Sequence, residues 1–217
     1  LPVSGRALNG LRPYYSKEQC AGLHFAILRD IYEVVSDSLA DLFVFHSEGE
    51  EDELEELKGI YERATFFRQK GVTFEGRLYD AMQRVFLMGY SRVLLMESTV
   101  QDFTHEEINR AFDIISHKDY VFGPLDDGSY WCIGARFDND VRSLQPLFSV
   151  DFTSESILED TIEIIPSWKK YGLLEEKTAI SGIDELLLLR EKGVTGYTGE
   201  YLEKNHIISA IVPVYNS

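Results

Sequence analysis

Apolar residues recur at helical spacing at Leu23, Ile27, Ile31, Val34 and Val35, and Ser16 with Gln19 has the form of a capping box. A helix is therefore predicted from Ser16 to Val35. Asp41-Leu-Phe-Val-Phe-His46 is apolar without helical gaps and predicts a strand. An acidic run, Glu48 to Glu56, reads as the solvated face and first turn of a second helix that ends near Tyr61. Thr65 to Arg68 is a short strand, Gly71 to Gly76 a loop, and Arg77 to Leu87 a helix stopped by Gly89. The unbroken apolar run Arg92-Val-Leu-Leu-Met-Glu97 predicts a buried strand. Thr104 and Glu107 form another capping box, for a helix ending near His117. Tyr120-Val-Phe122 is a strand, and the run Tyr130 to Ala135 follows it after a turn. A helix from Ser154 to Ile165, a strand at Thr178-Ala-Ile180 and a helix from Asp184 to Lys192 complete the series.

Strands separated by helices predict an α/β fold, a Rossmann-like three-layer sandwich with a mostly parallel sheet. The strands near 42–46, 65–68, 92–97 and 120–123 are expected to run parallel. Ligands of such sheets bind at the carboxyl ends of the strands. Four loops lie there: the one before Ser16, Gly71–Gly76, Glu97–Thr104 and Asp126–Ser129. The first of these opens Leu1-Pro-Val-Ser-Gly5-Arg6 with no strand ahead of it, so the first strand of the sheet is missing from the pattern.

The richest stretch is Gly123-Pro-Leu-Asp-Asp-Gly-Ser-Tyr-Trp-Cys-Ile-Gly134. Two carboxylates, Asp126 and Asp127, stand at the end of a buried strand, where the strand fixes them and the loop exposes them. Nucleotide and sugar enzymes place metal and hydroxyl chemistry in such positions. The same residues also suit a solvated Asp-Asp-Gly turn between two strands. Tyr130 and Trp131 alternate along the strand, so one is expected in the core while the other could stack on a base or sugar.

Composition narrows the partners. The 217 residues are 44% hydrophobic and 27% charged, which suits one soluble domain or slightly more. No apolar run approaches the roughly 18–20 residues of a membrane span, so the chain reads as cytoplasmic. A net charge of −16 repels phosphate backbones and argues against nucleic acid as a partner. Cys20 and Cys132 sit in apolar surroundings and read as buried free thiols. The histidines His24, His46, His105, His117 and His206 show no metal-ligand spacing.

Read in order, the loops resemble a bacterial GT-A-type family, the radical-SAM/selenodomain-associated transferases, relatives of the nucleotide-diphospho-sugar transferases. The resemblance covers residues 1–192. Gly123-Pro-x-x-Asp127-Gly-x-Tyr130 matches the family's Gly-Pro-x-x-Asp-Gly-Gly-Tyr, with Ser129 replacing a glycine. Pro2-x-Ser4-Gly5-Arg6 resembles its opening Pro-x-Pro-Gly-Arg, and Arg77 is kept in the Glu75-Gly76-Arg77-Leu78 turn. The likeness implies a nucleotide-sugar or related donor, with Mg or Mn as companion ion. It implies Asp127 as catalytic base or acceptor ligand, and Gly5, Arg6, Arg77, Glu97, Asp126 and Tyr130 as ligand-binding residues.

Departures from the family pattern gather where that chemistry belongs. The family's Lys-Thr-Arg-Leu becomes Leu8-Asn9-Gly10-Leu11, which removes cations suited to a diphosphate. Its Gly-x-Asp-x-Pro-x-Leu becomes Glu97-Ser98-Thr99-Val100-Gln101, with Thr99 at the metal-ligand aspartate. The aspartate before the Gly76-Arg77 turn is Thr73, and the late Asp-Val-Asp-Thr is Ala179-Ile180-Ser181-Gly182. A neutral threonine cannot bridge a divalent cation to a diphosphate. Glu97 or Asp102 could substitute only with a rearranged loop. No metal ligands are therefore assigned. Two readings remain open: an active glycosyltransferase-like enzyme, and a non-catalytic GT-A domain that supports a partner domain or binds ligand without turnover.

From Gly193 the chain turns rich in glycine and threonine, and 193–205 reads as a linker. The segment 206–217, His-Ile-Ile-Ser-Ala-Ile-Val-Pro-Val-Tyr-Asn-Ser, resembles the opening strand of the inverting GT-A glycosyltransferases. It implies a fused or partner glycosyltransferase domain. So apolar a strand needs cover, and pairing with this sheet or with another copy, as a homo-oligomer, would also supply it.

Overall fold

The computed structural model describes residues 8–47, 51–100 and 102–205. The sequence-derived assignments at Gly5, Arg6 and 206–217 lie outside these residues.

Local signals set most elements. Helix α1 (Lys17–Ser36) starts at a reciprocal capping box: Gln19 N donates to Ser16 Oγ at 3.1 Å, and Ser16 N donates to Gln19 Oε1 at 2.9 Å. Strand β1 (Phe43–His46), helix α2 (Glu51–Ile60) and strand β2 (Thr65–Arg68) follow. Helix α3 (Phe74–Leu87) begins three residues earlier than the sequence pattern predicts. Thr73 caps it, its hydroxyl accepting from Gly76 N at 3.2 Å. Strand β3 (Arg92–Met96) leads to α4 (His105–His117), again with the predicted capping box, Thr104 with Glu107. Each such cap stabilises its helix by about 1 kcal/mol.

Strands β4 (Tyr120–Pro124) and β5 (Tyr130–Arg136) flank the Asp126-Asp127 turn. Helix α5 (Ile157–Glu163), strand β6 (Tyr171–Leu173), helix α6 (Ile183–Glu191) and helix α7 (Gly196–Lys204) complete the chain. Two elements escape the sequence pattern, and one predicted strand is not formed. A 3-10 segment covers Val141–Phe148, with Pro146 inside it. The three-residue β6 is masked by its flanking charges and by Gly172, where a Cβ would meet Ile114 of α4. No strand forms at Thr178–Ile180; the preceding Lys177 makes one isolated parallel bridge to Leu125, just past β4.

The segment 193–205, read from sequence as a linker, carries α7 packed on α1. The reason is tertiary. Asp30 of α1 accepts from Tyr197 N at 2.7 Å and Thr198 N at 2.9 Å, which caps α7 from another helix. Gly22 leaves room for the ring of Tyr201.

The strands form two sheets. One pairs β1 with β2 in parallel; the other has the order β3-β5-β4-β6. Strands β3 and β4 are both antiparallel to β5, and β6 is parallel to β4, so three of these four strands share one direction. The architecture is the expected α/β sandwich, with β5 as a reversed strand that the sequence pattern did not orient. Helices α1, α2 and α4 share one buried cluster with Trp131 and Cys132. Helix α3, the 3-10 segment and α5 share the other, with Phe122 and Tyr130. Both cysteines are free and buried, as expected. Among the described residues no helix is long and apolar enough to cross a membrane.

Candidate functional site

The carboxyl ends of β3 and β4 meet where Glu97, Thr99, Asp126 and Asp127 emerge. Glu97 N donates to Trp131 O at 2.7 Å, which continues the β3–β5 ladder and fixes the carboxylate at the strand's end. Thr99 Oγ1 donates to Glu97 Oε1 at 3.2 Å. Across from them, Gly128 adopts φ 82, which allows the tight turn, and a Cβ there would strike Glu155 O. Asp127 Oδ1 accepts from Ser129 N at 2.9 Å and from Ser129 Oγ at 2.6 Å. Asp126 Oδ2 accepts from Thr178 Oγ1 at 2.6 Å, and Asp126 N donates to Lys177 O at 3.1 Å. The 177–180 segment is held by a nearly buried ion pair, Lys177 Nζ to Glu107 Oε1 at 2.8 Å.

The electrostatics separate the carboxylates. Burial is the main force raising the Glu97 pKa, the Thr99 hydrogen bond opposes it, and the negative charge of Asp127 adds to the rise. Glu97 borders an open cavity, so its surface counts as exposed although protein surrounds its carboxyl. Asp126 and Asp127 are solvent-exposed.

The positions that depart from the family pattern are neighbours in space. Ile180 N donates to Thr99 O at 3.1 Å, which joins two of them. Gly10 lies against the next residue, Ser181, and a Cβ at Gly10 would collide with the Ser181 carbonyl. Leu8, which turns the chain toward Gly10, is buried in a left-handed conformation at φ 44. Gly10, Thr99 and Ser181, where the resemblance implied a cation and two carboxylates, are thus neighbours. A divalent cation bridging to a diphosphate needs ionised carboxylates with open lone pairs. The residues here do not fit it. Thr178 and Ser129 each occupy only one oxygen of Asp126 and Asp127, but Thr99 and Ser181 bring no further carboxylate toward them. Among the described residues no three His, Cys, Asp or Glu side chains converge to hold a metal ion.

The predicted site residues are partly brought together. Asp127 is close enough for its charge to help raise the Glu97 pKa, and Asp126 stands beside Asp127. Arg77 is elsewhere. It opens onto the cavity that Glu97 also borders, with its guanidinium 6.0 Å from the Phe74 ring, and Asp126 and Asp127 are not in that cavity's lining. Tyr130 is a correction. Its ring is buried between Phe122 and Phe152, at centroid distances of 5.8 and 6.1 Å, and is not exposed at the sheet edge as a ligand-binding face. Trp131 is buried too, stacked on Phe103 at 5.6 Å, so neither residue of the pair is left to stack on a base. Alternation sent them to opposite faces, but helices cover both faces of β5. Sequence reading missed Thr178 and the Gly10–Ser181 contact, because each is a long-range pairing with no local signature.

Fold and site together define a GT-A-like α/β protein. Residues 30–154 match the family described as "Uncharacterized protein conserved in bacteria (DUF2064)", and the chain belongs to that family. The fold is similar to the crystal structure of a provisionally named nucleotide-diphospho-sugar transferase from Desulfovibrio desulfuricans G20. The TM-score is 0.83 at 25% identity, over 94% of this chain and 91% of that one. It also resembles 4-diphosphocytidyl-2C-methyl-D-erythritol synthase from Anaerococcus prevotii DSM 20548. There the TM-score is 0.57 at 10% identity, over 82% and 86% of the two chains, a likeness of fold alone. No curated protein matches the sequence.

Proposed function

We propose that this chain is a nucleotide-diphospho-sugar transferase-like protein whose metal–diphosphate site has degenerated. It retains a ligand-binding edge at Asp126 and Asp127. The observation that carries the reading is the convergence of Gly10, Thr99 and Ser181, where a cation and two carboxylates are absent together. A nucleotide-sugar would lie across the carboxyl ends of β3 and β4, as ligands do in open α/β sheets. Asp127, exposed and held by Ser129, would accept a hydrogen bond from a sugar or acceptor hydroxyl, and in an active protein would take its proton. Glu97, whose pKa is raised chiefly by burial, would hydrogen-bond a ligand hydroxyl at the end of β3.

The same convergence favours a second reading, a non-catalytic domain that serves a partner glycosyltransferase domain. Turnover separates the two. Calorimetric titration with uridine and guanosine diphosphate sugars, with and without Mn, tests the shared claim. Binding that Mn leaves unchanged supports it, and a large Mn-dependent gain in affinity restores a metal enzyme with Glu97 or Asp102 as ligand. Conversion of the donor in the same samples would mark an enzyme, and binding without conversion a supporting domain.

A further inference from the structure

Strand β6 ends the sheet order β3-β5-β4-β6, and among the described residues no strand lies beyond it. Its pairing with β4 fixes where its backbone groups point. Lys170 O accepts from Tyr120 N at 3.1 Å, and Leu174 N donates to Phe122 O at 2.8 Å, so both residues turn toward β4. Tyr171 and Leu173 alternate with them and direct their N–H and C=O groups the other way, out of the sheet. Lysines blunt many sheet edges, and Lys118 does so in part here, its Nζ donating to Tyr171 O at 2.9 Å. The backbone groups of Leu173 have no strand beside them.

The side chains around this edge are not those of a blunted one. Trp168 is 77% exposed, Leu173 46%, Ile164 39% and Tyr171 37%. Apolar exposure gathered in one place marks a contact surface. Trp168 is also held firmly. Lys169 N donates to Pro166 O at 2.8 Å, which closes a turn beneath the indole. Lys169 Nζ reaches Asp138 Oδ2 at 2.7 Å and Asp119 Oδ1 at 3.2 Å, and Lys170 N donates to Asp119 Oδ2 at 2.8 Å. A tryptophan presented on a pinned turn has little freedom left to lose when covered, and tryptophan is enriched among the anchors of protein contacts.

Charge selects the occupant. At −16 overall, two copies of this chain repel one another in general. The stretch Trp168-Lys-Lys-Tyr-Gly-Leu-Leu-Glu-Glu176 is instead neutral, with lysines at one end and glutamates at the other. Lys170, Glu175 and Glu176 are exposed. Two such stretches laid antiparallel about Leu173 bring Lys170 of each to the glutamates of the other, whereas a parallel pair sets like against like. Leu173 then meets its own counterpart as a hydrogen-bonded pair, because its N–H and C=O already face outward. A two-fold axis at Leu173 makes the contact self-complementary and closed.

We infer that β6 is the dimer edge of this protein: the β6 strands of two copies pair antiparallel about Leu173 and join two sheets into one. Trp168, Tyr171 and Ile164 are covered beside the pairing, and Lys170 of each copy is set against Glu176 of the other.

Sedimentation equilibrium of the full chain tests it, read together with acrylamide quenching of Trp168, since Trp131 is buried. The expected result is a concentration-dependent dimer in which quenching falls. The amides of Tyr171 and Leu173 should then exchange roughly tenfold or more slowly, while that of Gly172, already turned to β4, changes little. Leu173→Asp should leave a monomer. Lys170→Glu and Glu176→Lys should each weaken the dimer by roughly tenfold, and the two together should restore it. Both of these positions are exposed, so the charge exchange reads the contact even where Leu173→Asp fails to fold. A monomer at every concentration overturns the inference. So does a dimer indifferent to the charge exchange, or one lost on deleting 206–217 whose Tyr171 and Leu173 amides were never protected, because each places the contact elsewhere.

Discussion

The backbone of Gly10 lies against the carbonyl of Ser181 so closely that no side chain fits between them. One residue opens the chain before α1 and the other precedes α6, so the contact ties two loops across the carboxyl edge of the sheet. Gly10→Ala is therefore expected to destabilise by about 1–3 kcal/mol, the range for overpacking a close-packed site. Urea unfolding measures it. Unchanged stability would mean the two loops are free to separate, and the site could then reopen for a diphosphate.

Asp127→Asn should leave stability within about 0.5 kcal/mol, because the asparagine Oδ1 can still accept from Ser129 N and Oγ. Ligand affinity should fall, since the charge is lost. Asp127→Ala removes the acceptor as well and should cost about 1 kcal/mol. Equal destabilisation by both substitutions would assign the charge of Asp127 to the turn and take it out of the binding edge.

Glu97 gives a pH signature. Its pKa is raised mainly by burial, so the folded state binds its proton more tightly than the unfolded chain. Stability is then favoured below the ordinary glutamate value of about 4.3 and declines as pH rises through the folded value. Glu97→Gln removes that decline. Melting scans from pH 4 to 7 should show the variant gaining on the wild type as pH rises, with the difference vanishing at the acid end. A glutamine variant that loses stability at pH 7 would show that the ionised carboxylate is favoured where it stands.

Asp30 is a cap whose helix lies 167 residues away in sequence. Asp30→Ala should cost about 0.5–2 kcal/mol and speed amide exchange through Gly196–Lys204, with little change in β4 and β5. Uniform loss of protection would show that α7 and the sheet unfold as one unit.

Much of this architecture is written locally. The capping boxes of Ser16 and Thr104 fix where α1 and α4 begin, and the apolar runs of β1, β3 and β4 locate the strands. What escaped depends on distant residues. Helix α7 looks like a linker because its cap, Asp30, is in another helix. Strand β6 is three residues long and pairs because β4 is already present. The placement of Asp126, Asp127 and Glu97 just past the ends of β4 and β3 was legible in the sequence. The burial of Tyr130 was not, because alternation cannot tell a strand covered on one face from one covered on both. The meeting of Gly10, Thr99 and Ser181 was invisible too, although each departure could be read singly.

The claim that the metal–diphosphate site is lost is tested most directly by titrating Mn into the protein with uridine diphosphate present, following free Mn by electron paramagnetic resonance. The protein should leave the Mn–nucleotide equilibrium as it is without protein, because among the described residues no three carboxylate, imidazole or thiol groups converge to complete the coordination. A protein-dependent fall in free Mn, abolished by Glu97→Gln or Asp127→Asn, would contradict the account and identify a working metal site.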